Sequence, residues 1–457
     1  MFSRRSFLRG SAATFGAAGL APLASLAADN TGYKALVCLF LFGGCDTQDM
    51  LIGYDQPSYD RWAEARRSIL DRFPGGAEEG ARARANLLAL DPLNAASLNG
   101  RQAALPPEMA GIKSLFDRGA AAFVPNVGPL IEPTTRQAVE DGFARLPSRL
   151  QSHNDQQSTW QAFSVEGAGQ GWGGQVLDAF NQTSPYTAIS VSGQTVFLSG
   201  ADTRQLQLSS SGSIRRAFGT DRRVYNSDDA TERLRAFYRS GADHLEHPMM
   251  RDLVRAQAKA IDDTETLSTL MEEASLGEQI IVDGNRLSTQ LATVADLISA
   301  RSALDVNRQI FFVGMGGFDT HNDHAGRMPG LWSTISEAVS SFYNGLEAAG
   351  LGDQVTLFTA SDFGRTLSAN ASGTDHGWGG HQLVVGGSVR GGMIHGALPS
   401  LDPGHDQEYR DRGALIPQAS IDQYASELGR WFGLSESELN TVFPNRSRFD
   451  LGGLQLF

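Results

Sequence analysis

Four short segments carry acids and imidazoles at spacings suited to cation chemistry. Gly43-Gly44-Cys45-Asp46 sets a carboxylate behind a glycine pair, where backbone amides can surround it, although Asp also caps helices at such turns. In Gly316-Gly317-Phe318-Asp319-Thr320-His321-Asn322-Asp323-His324, one oxygen and two nitrogen donors fall within six positions, a set that borderline metals such as zinc accept. Ser361-Asp362-Phe363-Gly364-Arg365 places a carboxylate beside a guanidinium able to grip an oxyanion with two hydrogen bonds. Gly373-Thr374-Asp375-His376-Gly377-Trp378-Gly379-Gly380-His381 gathers Asp375, His376 and His381 among glycines that let backbone approach a ligand closely. Five of the nine histidines (His321, His324, His376, His381 and His395) cluster in this late part of the chain, and only His395 has an apolar setting that reads as structural. The candidate metal ligands are Asp46, Asp319, His321, His324, Asp362, Asp375, His376 and His381, for one or two divalent ions: zinc, manganese or calcium.

The attacking group is harder to place. Gln151-Ser152-His153-Asn154-Asp155-Gln156 opens a helical run through Trp160, so Ser152 stands where a helix dipole favours a phosphorylated or sulfated oxygen. Its plainer role is a helix cap, and no neighbouring base is visible to activate the hydroxyl. His153 ranks behind it as a site residue. Gly169-x-Gly171-x-x-Gly174 matches a dinucleotide loop in letters only, because no strand runs into it. HExxH, Walker, GxSxG and paired CxxC motifs are absent.

These segments need strands to carry them. Lys34 to Phe42 (KALVCLFLF) is a continuous apolar run, the pattern of a strand buried on both faces. Ala120–Val127, Gln309–Val313, Val355–Thr359 and Gln382–Val385 repeat it, most of them separated by helical patterns. The expectation is an α/β fold with a doubly wound, mostly parallel central sheet and helices on both faces, whose ligand site lies beyond the carboxyl ends of the strands. A mainly helical insertion is expected over about 228–300, and the C-terminal stretch 421–432 reads as an amphipathic helix against the sheet. Cys38 and Cys45, too far apart to pair along one straight strand, should be reduced and structural.

The whole chain of 457 residues has a globular composition, with 41% hydrophobic residues and a net charge of -13. No basic patch breaks that acidic field, which argues against nucleic-acid partners. Residues 1–28 hold three arginines and no acid, then a small apolar stretch, then Ser25-Leu26-Ala27 before Ala28. This is the pattern of a cleaved export signal, and its removal would leave a chain of charge -16. Ser3-Arg4-Arg5-Ser6-Phe7-Leu8 resembles the twin-arginine motif, which implies the export machinery for folded proteins as a partner and a periplasmic or secreted destination. No segment is apolar and long enough for a membrane span.

Taken together, LFLFGGCD at 39–46, QSHNDQQSTW at 151–160, GGFDTHNDH at 316–324 and the block from Thr359 to Gly392 resemble the twin-arginine-exported family catalogued as domain of unknown function 1501. That family is similar to the alkaline phosphatase and sulfatase superfamily. The resemblance implies Asp46 as a first-strand metal ligand, Asp319 with His321 or His324 as a second pair, Asp362 after a late strand, and His376 or His381 as the final histidine. Phe363 stands where the superfamily commonly has a histidine, and no Cys-x-Pro-x-Arg occurs, so a formylglycine mechanism is not implied. The expected activity is metal-dependent hydrolysis of a phosphate or sulfate ester, small or borne on a polymer, with Ser152 or a metal-activated water attacking and Arg365 holding the oxyanion. The rival expectation is a non-catalytic periplasmic binding or assembly protein that keeps the fold, and a phosphosugar transferase or mutase would look the same in sequence.

Overall fold

The computed structural model describes residues 28–29, 31–182, 184–209, 226–241, 245–410, 412–449 and 453–457. The expected export signal therefore lies outside the described residues, apart from its boundary at Ala28. A nine-stranded sheet forms the centre. Its strands in chain order are β1 (Lys34–Leu41), β2 (Ala121–Gly128), β3 (Ala188–Ser190), β4 (Leu206–Gln207), β5 (Arg308–Met315), β6 (Val355–Ser361), β7 (Gly380–Val385), β8 (Met393–Ile394) and β9 (Ala419–Ser420). They lie in the order β8-β2-β7-β6-β1-β5-β3-β4, with β9 also paired to β2. The five apolar runs are all strands. The short strands β3, β4, β8 and β9 had no run long enough to read.

Alternate residues of β1 feed two separate cores, which is why the run is apolar throughout. Ala35, Val37, Leu39 and Leu41 pack on one face, Leu36, Cys38 and Phe40 on the other. The helix His324–Ala348 covers the first face with Met328, Trp332, Ile335, Val339, Phe342 and Leu346 at helical spacing. The helix Ile421–Phe432 covers the second with Tyr424, Ala425, Leu428 and Phe432; a reciprocal Ser420–Gln423 capping box starts it and Gly433, at φ +121°, ends it. The helical stretch expected at 228–300 holds helices Asp228–Ser240, Pro248–Glu273 and Arg286–Ser299. The last of these is part of the sheet's cover, since Leu291, Val294, Leu297 and Ile298 join the first core. Both cysteines are buried and unpaired, and among the described residues no helix is long and apolar enough to cross a membrane.

Two features of the sheet make the site. β1 pairs in parallel with β5 and β6, and the register sets Leu41 opposite both Met315 and Ser361. The segments that follow the three strands therefore leave the sheet side by side. β7 runs antiparallel to both β6 and β2. Its amino end meets the carboxyl ends of its neighbours, which brings residues 364–381 back over the same edge.

Candidate metal centre

The close approach of these strand ends depends on two glycines. Gly43 has φ +114°, and a Cβ there would lie 2.5 Å from the Asp319 backbone nitrogen; Gly44 has φ +70°, and its Cβ would strike the Phe363 ring at 2.2 Å. The fully buried Asp362 carboxylate, just past β6, accepts the Gly43 N–H at 3.2 and 3.3 Å. Helix His153–Ala162 presents two side chains one turn apart to the same carboxylate. His153 Nδ1 lies 2.6 Å from Asp362 Oδ2, and Gln157 Nε2 donates to that oxygen at 3.0 Å.

Nδ1 of His153 is thus turned to a carboxylate, which leaves Nε2 as the ring nitrogen that faces outward. His376 is set the same way: Nδ1 lies 2.8 Å from the Gln151 carbonyl oxygen, which can only accept. Gln151 itself is held at φ +71°, a strained conformation for a residue with a side chain. His376 Nε2 is buried and has no hydrogen-bond partner. Both Nε2 atoms point to Asp319, at 3.9 Å each, and ligand atoms of His153, Asp319 and His376 all lie within 4.8 Å of one another. Three potential ligand atoms thus converge within reach of a single cation.

Electrostatics keep the trio ready for one. Burial lowers the His376 pKa below the ordinary imidazole value, with the nearby Arg365 charge adding to it, which keeps the ring neutral. Burial alone would raise the Asp319 carboxyl, but the Arg365 hydrogen bond and charge outweigh it and hold the pKa below the usual value. Two imidazole nitrogens and one carboxylate oxygen could together hold a divalent ion. His321 flanks the trio, with Nδ1 2.6 Å from Asp319 Oδ1 and its ring 4.6 Å from that of His376. Phe363 packs at 4.8 Å from the His153 ring and 4.4 Å from the His376 ring.

Arg365, expected to grip an oxyanion, is buried with its donors already engaged. Nε donates to the Gly44 carbonyl at 2.7 Å, Nη1 to the Thr374 carbonyl at 2.5 Å, and Nη2 to the Gly43 carbonyl at 2.8 Å and to Asp319 Oδ1. The remaining Nη1 hydrogen faces His321 Nδ1 at 3.5 Å. Its work is to brace Asp319 and tie β1's turn to the β7 approach.

Asp46 and His324 meet in a separate buried cluster. His324 Nε2 lies 2.8 Å from Asp46 Oδ2, while Arg66 bonds both oxygens of Asp46, at 3.2 Å from Nη1 and more closely from Nη2. Burial would push the Asp46 carboxyl up, but Arg66, helped by His324, holds it down to about 2. A fixed guanidinium thus already neutralises this carboxylate. His381 Nδ1 accepts the Asn126 N–H at 3.1 Å, and burial lowers its pKa to about 4, so the ring is neutral. Asp375 turns to Asn370 at 3.1 Å and Arg412 at 3.9 Å. Ser152 is the residue before the first turn of its helix, and its hydroxyl donates to Asp155 at 2.8 Å rather than capping the backbone. His395 bonds the Arg390 carbonyl, away from the trio. Of the expected ligands, then, Asp319 and His376 join the trio, and His153 is its third member.

Fold and geometry define an α/β protein whose mostly parallel sheet carries a His–Asp group, spaced to hold a cation, at its carboxyl edge. The chain belongs to the family described as Protein of unknown function (DUF1501), whose model matches residues 33–416. No curated protein matches it. A solved structure of Ps i-CgsB in complex with k-i-k-neocarrahexaose is similar at 9% identity and a TM-score of 0.30, covering 90% of this chain and 76% of that one. So low a score leaves the fold to rest on its own strand order and register.

Proposed function

We propose that this protein is an exported, metal-dependent hydrolase of phosphate or sulfate esters. The observation that carries the reading is the orphaned lone pair of His376 Nε2, aimed with His153 Nε2 at the ionised Asp319. A divalent ion bound by these three residues would supply Lewis acidity toward an ester oxygen and a lowered pKa for water. A divalent ion held by two imidazoles and a single carboxylate would leave such a centre net positive, the complement of an anionic ester. Asp362 and the Gln151 carbonyl fix the two imidazoles in the tautomer that exposes Nε2. Arg365 keeps Asp319 ionised and in place. Phe363 packs against both rings and holds them in place. The ester specificity and the periplasmic setting are supported by the motif resemblance to the alkaline phosphatase and sulfatase superfamily and by the twin-arginine-like start.

The test is turnover of aryl phosphate and aryl sulfate esters in the presence of zinc, manganese or calcium. Metal-dependent turnover that disappears in Asp319→Ala and His376→Ala is the expected result. Absence of turnover with every ion and both esters would overturn the reading. That outcome would favour the binding or assembly protein, for which Phe363 in a ligand-like position and the engaged Ser152 hydroxyl already speak.

A further inference from the structure

The opposite edge of the sheet holds a second built feature, where the chain enters β1. Arg308, fully buried between the rings of Phe180 and Phe432 at 5.1 and 5.6 Å, aims its guanidinium at backbone carbonyls. Three of those belong to the entering segment: Asp29 at 2.5 Å, Gly32 at 2.5 Å and Thr31 at 3.3 Å. The Asp29 N–H in turn donates to the Gly433 carbonyl at 2.7 Å. Gly433 is required there, since a Cβ would lie 2.5 Å from the Asp29 oxygen. One residue earlier, the Ala28 nitrogen donates to Glu438 Oε1 at 3.0 Å. Glu438 is not a loose surface acid: its other oxygen accepts the Ser435 N–H at 2.8 Å and the Ser435 hydroxyl at 2.7 Å in a capping box. A carboxylate oxygen is thus held fixed at the nitrogen that follows Ser25-Leu26-Ala27, the small-x-small sequence of a processing site.

We infer that the chain is cut between Ala27 and Ala28, and that Glu438 is the receptor for the α-ammonium group that the cut creates. The inference rests on the export-signal reading and is independent of the hydrolase chemistry. An export peptidase supplies the step: water adds its hydroxyl to the Ala27 carbonyl and a proton to the Ala28 nitrogen as the peptide bond breaks. The products at neutral pH are an Ala27 carboxylate and an Ala28 ammonium. Before the cut, Ala28 offers Glu438 one neutral amide N–H; afterwards it offers a full positive charge and three donors. Charge-assisted bonds of this kind are roughly twice as strong as neutral ones. Processing therefore tightens the dock that Arg308 and Gly433 have already formed, and pins the start of the central strand β1.

The experiment starts from the full chain expressed in an exporting bacterium, with intact mass and amino-terminal sequencing of the recovered protein. The expected first residue is Ala28. On that protein, the α-amine is titrated by pH-dependent reductive methylation read by NMR. Its pKa should lie above the ordinary value of about 7.7–8.0 in the wild type. It should fall back in Glu438→Gln, which removes the negative charge and keeps one acceptor oxygen, enough for the capping box with Ser435. A different first residue, or an α-amine with the same ordinary pKa in both proteins, would overturn the inference.

Discussion

His153 Nδ1 meets Asp362 Oδ2 at 2.6 Å, and through that contact a strand-end carboxylate orients an imidazole. Both Asp362 oxygens are occupied, by Gly43 N–H, Gln157 Nε2 and His153. Its place in the centre is thus one step behind the trio. Such supporting carboxylates raise ligand basicity and typically account for about 10- to 100-fold in metal affinity. Asp362→Asn should weaken zinc binding by that margin, measured by calorimetry, with far-UV dichroism unchanged. His153→Ala should weaken it further, and equal affinity in Asp362→Asn and wild type would remove Asp362 from this role.

Much of this arrangement is legible in the amino-acid sequence. The unbroken apolar run of β1 reads as a doubly buried strand, whereas Gly43-Gly44 reads only as a turn before Asp46 and gives no sign of the close approach by Asp319 and Phe363. Asp319 and His376 stood out because acids and imidazoles were dense around them. His153 did not, since its signal is a partner 209 residues away and one helical turn shared with Gln157, neither of which leaves a local pattern. The same limit hid Arg66. Nothing near Asp46 in sequence announces that a guanidinium at the end of a following helix will neutralise it, so the carboxylate read as an open ligand. Arg365 misled for the opposite reason: a neighbouring acid suggested an oxyanion clamp, while the antiparallel return into β7 surrounds its donors with carbonyls.

Arg66→Met tests the neutralised carboxylate. It removes the charge but keeps much of the volume, leaving Asp46 buried with only His324 and Thr374 beside it. Breaking a buried ion pair in this way costs about 3–5 kcal/mol. Urea denaturation should show a loss of that order, and a double variant with Asp46→Asn should recover part of it. A single variant within about 0.5 kcal/mol of wild type would mean that the pair contributes little.

Acid sensitivity should follow His381. Its folded pKa, lowered to about 4 by burial, lies below the unfolded value of about 6.5. Between those values the unfolded chain binds the proton and the folded chain does not, so stability falls as pH drops from about 6.5 to about 4. The shift corresponds to roughly 3 kcal/mol over that window. His381→Gln keeps an acceptor for the Asn126 N–H and removes the titration. Thermal unfolding followed from pH 7 to pH 4 should therefore be flatter in the variant than in the wild type; parallel curves would assign the acid loss elsewhere.

Gly43→Ala tests whether the edge must close to this degree. The new methyl would lie 2.5 Å from the Asp319 nitrogen, against backbone that cannot swing away, at a φ of +114°. The segment bearing Asp319 must shift, and a displacement on the order of 1 Å is enough to spoil a preorganised site. Zinc binding should be lost or weakened more than in Asp362→Asn. If affinity is retained in a protein that stays folded, the trio is tolerant of that displacement.

Ser152→Ala separates two ways of using the helix start. The hydroxyl donates to Asp155, and Asp155 also accepts from the Glu166 amide at 3.3 Å, so the pair ties the first turn to the 163–166 loop. A side chain used in this way stabilises the position of His153, the next residue, without attacking anything. Its loss should cost about 1 kcal/mol of stability and lower turnover by no more than about tenfold. An attacking serine would behave otherwise, since deleting a nucleophile removes several orders of magnitude from kcat. Turnover of the aryl esters in Ser152→Ala therefore decides the matter: a modest loss assigns the hydroxyl to positioning, whereas loss beyond a thousandfold with zinc still bound would make Ser152 the attacking oxygen.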